Sequence, residues 1–444
     1  MINCTYYNLF QYYRYNNYKK SAIVINTIND VNEDIYLGRK VNKLLTTLGY
    51  CTVMYPLLLK MSNNQQKNLN DYFIRDRKNR NSYDNVRNNK NTIVVVTPIK
   101  TDQIIEVVNF LKIIYDQHNL KKNKIFVFSD TANQQIFDVR LFIKLIKKQV
   151  SYNTLGLYKN QLGYIPLSST EIQSLNNNNN LFIKLLCDSL NLDICTKDHF
   201  LIGYLNLENY ITPILIFLHN SLIEFQSSLP ISLANRLNYI FFCEYKITSY
   251  ELQTIVAECT NSQSIYYIEA KKINFYYYGD NLKLIVSSKT SSESTAIVNI
   301  FFTNKILPEN IFNCFIKLSN YGIMSGNNSL INYISIKQEL PYYCFDKQDI
   351  LFIQELQEEA KHSKLYNYYK CKFIGEDYFG VSKYNALENN ICEKKDFDMY
   401  KINYKQQDIK QAKNALKYIN IKKYDFENKF INRCANNKIK AILS

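Results

Sequence analysis

The stretch that decides the fold is residues 124–133, KIFVFSDTAN. Within it, 125–129 is short and almost wholly apolar, and Asp130 and Thr131 follow at once. Such a run suits a parallel strand covered on both faces. In open α/β sheets the chemistry gathers just past the carboxyl ends of the strands. Positions 129–133, Ser-Asp-Thr-Ala-Asn, are therefore where a site is expected, and they hold neither cysteine nor histidine.

Upstream, 92–96 (TIVVV) reads as a strand stopped by Pro98, and 104–115 carries a helical apolar face. Before them, 21–26 (SAIVIN) and 51–55 (CTVMY) read as strands. The helix between them carries Leu37, Val41, Leu44, Leu45 and Leu48 and is closed by Gly49. Strands and helices alternating at this pace predict right-handed βαβ units and a doubly wound parallel sheet. Residues 63–91 are highly polar and read as a helix end and a solvated loop.

Downstream, 151–180 reads as a linker ending in SLNNNNN. Order resumes at 181–190. Strands are expected at 198–205 and 273–278, with helices at 215–229 and 247–258. The pattern changes near Gly279. A strand at 296–302, helices near 309–319 and 349–361, and a Lys- and Asn-rich tail complete the chain. There is no fixed-period repeat.

Lys and Arg number 54 against 39 Asp and Glu, a net charge of +15 spread along the chain rather than striped on one face. That pattern does not point to nucleic acid. Abundant Asn, Lys, Ile and Tyr, with no Trp and 10 Gly, reflect AT-rich coding and would suit a large DNA virus of insects. The same bias accounts for the tyrosine-rich start, which also has the make-up of a single-strand stacking surface. Eleven cysteines stand singly without a CxxC pair, as reduced thiols in a cytoplasmic protein do. Four scattered histidines give no metal-site spacing, and no cofactor motif occurs. Cys187, Cys195 and His199 read as core or linker residues, and Glu355, Glu358 and Glu359 as a solvated helix face. No leader or membrane span is expected.

From Lys20 to Tyr278 the order of elements resembles the caspase domain. SAIVIN with the following helix resembles its first strand and arginine-bearing loop, and TIVVVTPIK the strand ending in the catalytic Ser-His-Gly. KIFVFSDTAN resembles the strand ending in Gln-Ala-Cys-Arg-Gly. FLIGYLNLENYITPILIFLHNSLIEF and QSIYYIEAKKINFYYY resemble the small-subunit strand, helix and final strand. The resemblance implies a caspase-like three-layer α-β-α sandwich with a mostly parallel sheet and a C-terminal α+β extension. Its divisions would be a lead-in (1–19), a large-subunit-like region (20–150), a linker (151–190), a small-subunit-like region (191–278) and an extension of unknown type (279–444).

Laid on that resemblance, the nucleophile position falls on Thr131 and the histidine position on Lys100. The glycine beside that histidine becomes Thr101. The substrate-pocket positions fall on Val31, Ser129 and Ile214. None matches the family chemistry, so the resemblance implies an inactive homologue without metal or cofactor. It would bind a host caspase or its zymogen in the cytoplasm, as decoy or heterodimer partner, or form a homodimer. The pairing edge would carry Ile273, Phe275 and Tyr277. Two alternatives stay open: a peptidase with a displaced Thr or Cys nucleophile, and a basic structural or nucleic-acid-binding protein.

Overall fold

The structure, a computed structural model, describes residues 21–28, 33–47, 49–58, 92–97, 103–120, 125–129, 139–148, 150–154, 167, 169–176, 188, 198–207, 210–228, 236–261, 270–279, 282–289, 296–305, 307–337, 339–345 and 372–375. The chain divides into two compact units, Met1–Ile165 with Phe426–Ser444, and Pro166–Asp425.

The first unit is a five-stranded, all-parallel sheet. Its elements are β1 (Ser21–Ile28), α1 (Glu33–Thr47), β2 (Cys51–Leu58), β3 (Thr92–Thr97), α2 (Ile104–Gln117), β4 (Ile125–Ser129), α3 (Val139–Ile146) and β5 (Val150–Thr154). The strand order is β2-β1-β3-β4-β5. All eight residues of β1 are buried, as a central strand with helices on both faces requires. Helix α2 buries Ile104, Val107, Val108, Leu111 and Ile114, the i, i+3, i+4, i+7 stripe that the sequence displays. Gly49, at φ +81°, ends α1 in the left-handed conformation, and its N–H donates to the Thr46 carbonyl.

The second unit contains α4 (Ser169–Asn176), β6 (His199–Leu205), α5 (Ile211–Ser228), β7 (Arg236–Cys243), α6 (Ser249–Thr260), β8 (Lys272–Tyr278) and β9 (Leu282–Lys289). It continues with β10 (Ile297–Thr303), α7 (Glu309–Leu318), β11 (Tyr321–Ser325), α8 (Asn327–Lys337), β12 (Tyr342–Phe345) and β13 (Phe373–Gly375). The order is β13-β12-β11-β6-β7-β10-β8-β9, parallel except for β9. The chain winds from β6 towards β7 and β10 on one side and towards β11, β12 and β13 on the other. Phe217 of α5 meets Tyr239, Phe241 and Tyr342 edge-on at the centre of the core.

A polar ladder crosses this apolar sheet. The Ser287 hydroxyl donates to Asn274, the Asn274 amide to Asn299 at 2.9 Å, and the Asn299 amide to Asn238 at 2.8 Å. Asn238, Asn274 and Asn299 occupy the third position of β7, β8 and β10 and are register partners. Slipping one strand by a residue would leave buried amides without partners, so the ladder fixes the register.

These findings confirm an α/β protein with mostly parallel sheets and correct the finer expectation. A caspase-like sandwich places β1, β3, β4, β6 and β8 in one sheet. Here β1, β3 and β4 belong to one sheet and β6 and β8 to another. Every doubly wound unit repeats the same strand–helix periodicity, so the local pattern was read correctly while the pairing partners, which are remote in sequence, were not. Among the described residues, no helix is long and apolar enough to cross a membrane.

Candidate functional site

Parallel strands bring their carboxyl ends to one edge, and a crevice opens where the winding reverses. In the second unit that switch point lies between β6 and β11. Ser325, the last residue of β11, ties its floor: its hydroxyl accepts the Asn206 N–H at 2.6 Å and donates to the Tyr204 carbonyl at 3.2 Å. Gly326, at φ +84°, turns the chain directly into α8. The Ser329 hydroxyl donates back to the Ser325 carbonyl at 2.7 Å.

The loops after β6 and β7 are joined by two buried side chains. The Tyr210 hydroxyl accepts the Tyr245 N–H at 2.8 Å and donates to the Tyr245 carbonyl at 3.2 Å. One carboxylate oxygen of Glu251 accepts the Tyr210 N–H. The other accepts from the Thr248 N–H and hydroxyl, closing a capping box at the start of α6. Burial pushes the Tyr210 phenol well above its ordinary value, so it stays protonated and can donate. The Tyr204 hydroxyl donates to Glu244 at 3.2 Å. Beyond β10, the Lys305 ammonium donates to the Tyr278 hydroxyl and stands 4.2 Å from its ring centre. This edge is a fixed platform of tyrosines, two carboxylates and an ammonium.

The first unit reverses between β1 and β3. Asn26 and Thr97 are register partners there, so their side chains share a face. Both are completely buried, and both atoms of the Asn26 amide and the Thr97 hydroxyl lack hydrogen-bond partners. Thr27, on the opposite face, is likewise buried with an unpartnered hydroxyl. The α1 backbone lies against the Asn26 amide at Gly38, where any Cβ would collide with it. One turn on, the Asn42 side-chain oxygen is also buried without a partner. Unpartnered buried polar atoms are costly, and these are neutral donors and acceptors.

Of the positions expected from sequence, Val31, Lys100, Thr101 and Thr131 lie outside the described residues, as does the helix expected near 349–361. Ser129 ends β4, opposite Thr154 of β5. Ile214 is fully buried, in the first turn of α5. Ile273, Phe275 and Tyr277 lie on β8, which is paired on both sides, by β10 and by β9. The strand leading to Thr131 and the strand leading into the Ile214 helix, β4 and β6, belong to different sheets. The chain is not a caspase. The inactive-homologue reading, the apoptosis role and the non-enzyme status all depended on that arrangement and are withdrawn with it. Among the described cysteines, burial pushes the Cys243 and Cys259 thiols up to about 12 and Cys314 to about 11, which keeps these three protonated. Among the described residues no cluster could hold a metal ion.

No family model matches the sequence, and no curated protein matches it. Solved structures do match along nearly the whole chain. An α,α-trehalose-phosphate synthase (UDP-forming) from Burkholderia vietnamiensis aligns at TM-score 0.43 and 9% identity, over 96% of this chain and 99% of that one. Trehalose-6-phosphate synthase from E. coli, bound with UDP-2-fluoro glucose, gives 0.44 and 8%, over 93% and 98%. An α-glucosyltransferase in complex with UDP-glucose and DNA containing an abasic site gives 0.38 and 9%, over 96% and 100%.

Two features left traces in the sequence. In the second unit Thr248-Ser-Tyr-Glu251 is a capping-box pattern, and in the first unit Asn26-Thr27 is a polar pair near the end of an apolar strand.

Proposed function

We propose that the chain binds a nucleotide-activated sugar at the carboxyl edge of its second sheet and works in sugar transfer. The supporting observation is the order β13-β12-β11-β6-β7-β10, three strands wound each way with a crevice between β6 and β11. Doubly wound sheets of this order take nucleotides at that crevice. The glycosyltransferase fold called GT-B is built from two such units. The sugar part of the proposal follows the UDP-sugar enzymes named above.

The test is calorimetric titration of the full chain with UDP-glucose, UDP, ADP-glucose and glucose 1-phosphate, followed by an assay for UDP release with sugar acceptors. Saturable binding that requires the nucleotide is expected. Absence of nucleotide binding at millimolar concentration would overturn the reading.

A further inference from the structure

We propose that Tyr245 is the stacking platform for the base of the nucleotide, an inference that rests on the function proposed above. Tyr245 follows β7 by two residues, on the carboxyl edge beside β6, and is 58% exposed. An exposed aromatic on a loose loop would be unremarkable in a chain with 38 tyrosines. This one is not loose. Its own N–H and carbonyl are both held by the buried Tyr210 hydroxyl, and Tyr210 is held in turn by Glu251. The chain therefore fixes the backbone beneath a side chain that remains more than half exposed. A ring carried on a fixed backbone loses little freedom on binding, which favours a flat ligand.

The charges nearby are mixed, with Glu244 directly before Tyr245 and Lys246 directly after it. The start of α6 is already filled by its own capping box, whose Glu251 carboxylate would repel an anion there. The exposed Lys246, next to Tyr245, is the adjacent cation for a phosphate. Tyr250 is 71% exposed but stands in the first turn of α6, outside the loop clamped by Tyr210, and serves as the internal control.

The chain contains no tryptophan, so Tyr245→Trp introduces a single fluorescent reporter at the site. Titration with UDP should quench it saturably, while inorganic phosphate and ribose 5-phosphate, which lack a base, should not. Tyr250→Trp should show no saturable quenching. Tyr245→Ala should weaken UDP binding about tenfold or more by calorimetry, and Tyr245→Phe, which keeps the ring, should bind as the parent does. The clamp uses the backbone of residue 245, so the alanine variant retains it. If calorimetry records UDP binding to the parent but Tyr245→Ala binds equally well, or Tyr245→Trp is not quenched, the inference fails and the proposed function survives. If the parent binds no nucleotide, both fail.

Discussion

Replacing Asn299 with alanine tests the polar ladder that fixes the second sheet. Asn299 accepts from the Asn274 amide and donates to Asn238, and both partners are buried. The substitution removes two hydrogen bonds and leaves a donor and an acceptor that water cannot reach. Each such orphan costs about 1–3 kcal/mol, so the expected loss is about 2–6 kcal/mol. Domains are typically stable by only about 5–15 kcal/mol, so the loss should be plain in a urea melt followed by circular dichroism. The midpoint should fall with little change in slope. Ser287→Ala removes one bond at the exposed end of the same ladder, where water can replace it, and should cost less than about 1 kcal/mol. If Asn299→Ala costs no more than Ser287→Ala, the ladder does not hold the sheet and the reasoning is wrong.

Lys372 and Glu224 form a buried ion pair at 3.3 Å, with the Tyr342 hydroxyl on the other carboxylate oxygen. Lys372→Met should cost about 3–5 kcal/mol by stranding a buried carboxylate, and Lys372→Met with Glu224→Gln should cost less than the sum of the two single changes in a double-mutant cycle. Gly38→Ala should lower stability by about 1–3 kcal/mol through collision with Asn26, and Asn26→Ala should relieve it in the double variant. The thiols of Cys243 and Cys259 are raised from 9.0 to about 12. The folded state thus keeps protons that the unfolded state releases above pH 9, and this contribution to stability, complete below that pH, should be lost as pH rises from about 9 to 12. Urea melts of the parent and of Cys243→Ser with Cys259→Ser across that range should show the variant losing less.

Much of the local structure was legible. The apolar runs at β1, β2, β3, β4 and β10 and the periodic faces of α1, α2, α5, α6 and α7 fall where the pattern placed them. Strand β7 was missed although it is central and its YIFFC run is of the same apolar kind that marked β3 and β4. Which strands share a sheet could not be read locally. The five segments that resembled caspase elements are those any doubly wound unit would supply, and their partners lie far away in sequence. The ladder did leave a trace, an asparagine inside each of LNYIFF, INFYYY and IVNIFF, but asparagine in a core strand is ordinarily read as an edge or turn residue. The unpartnered groups at Asn26 and Thr97 depend on pairing between β1 and β3 and became visible only with the register.

The most direct test of the account is an experimental structure of the full chain crystallised with UDP-glucose. Two separate, mostly parallel sheets are expected, with the nucleotide over the carboxyl ends of β6, β7 and β11. A single sheet joining β1, β3 and β4 to β6 and β8, or a nucleotide bound away from that edge, would contradict this.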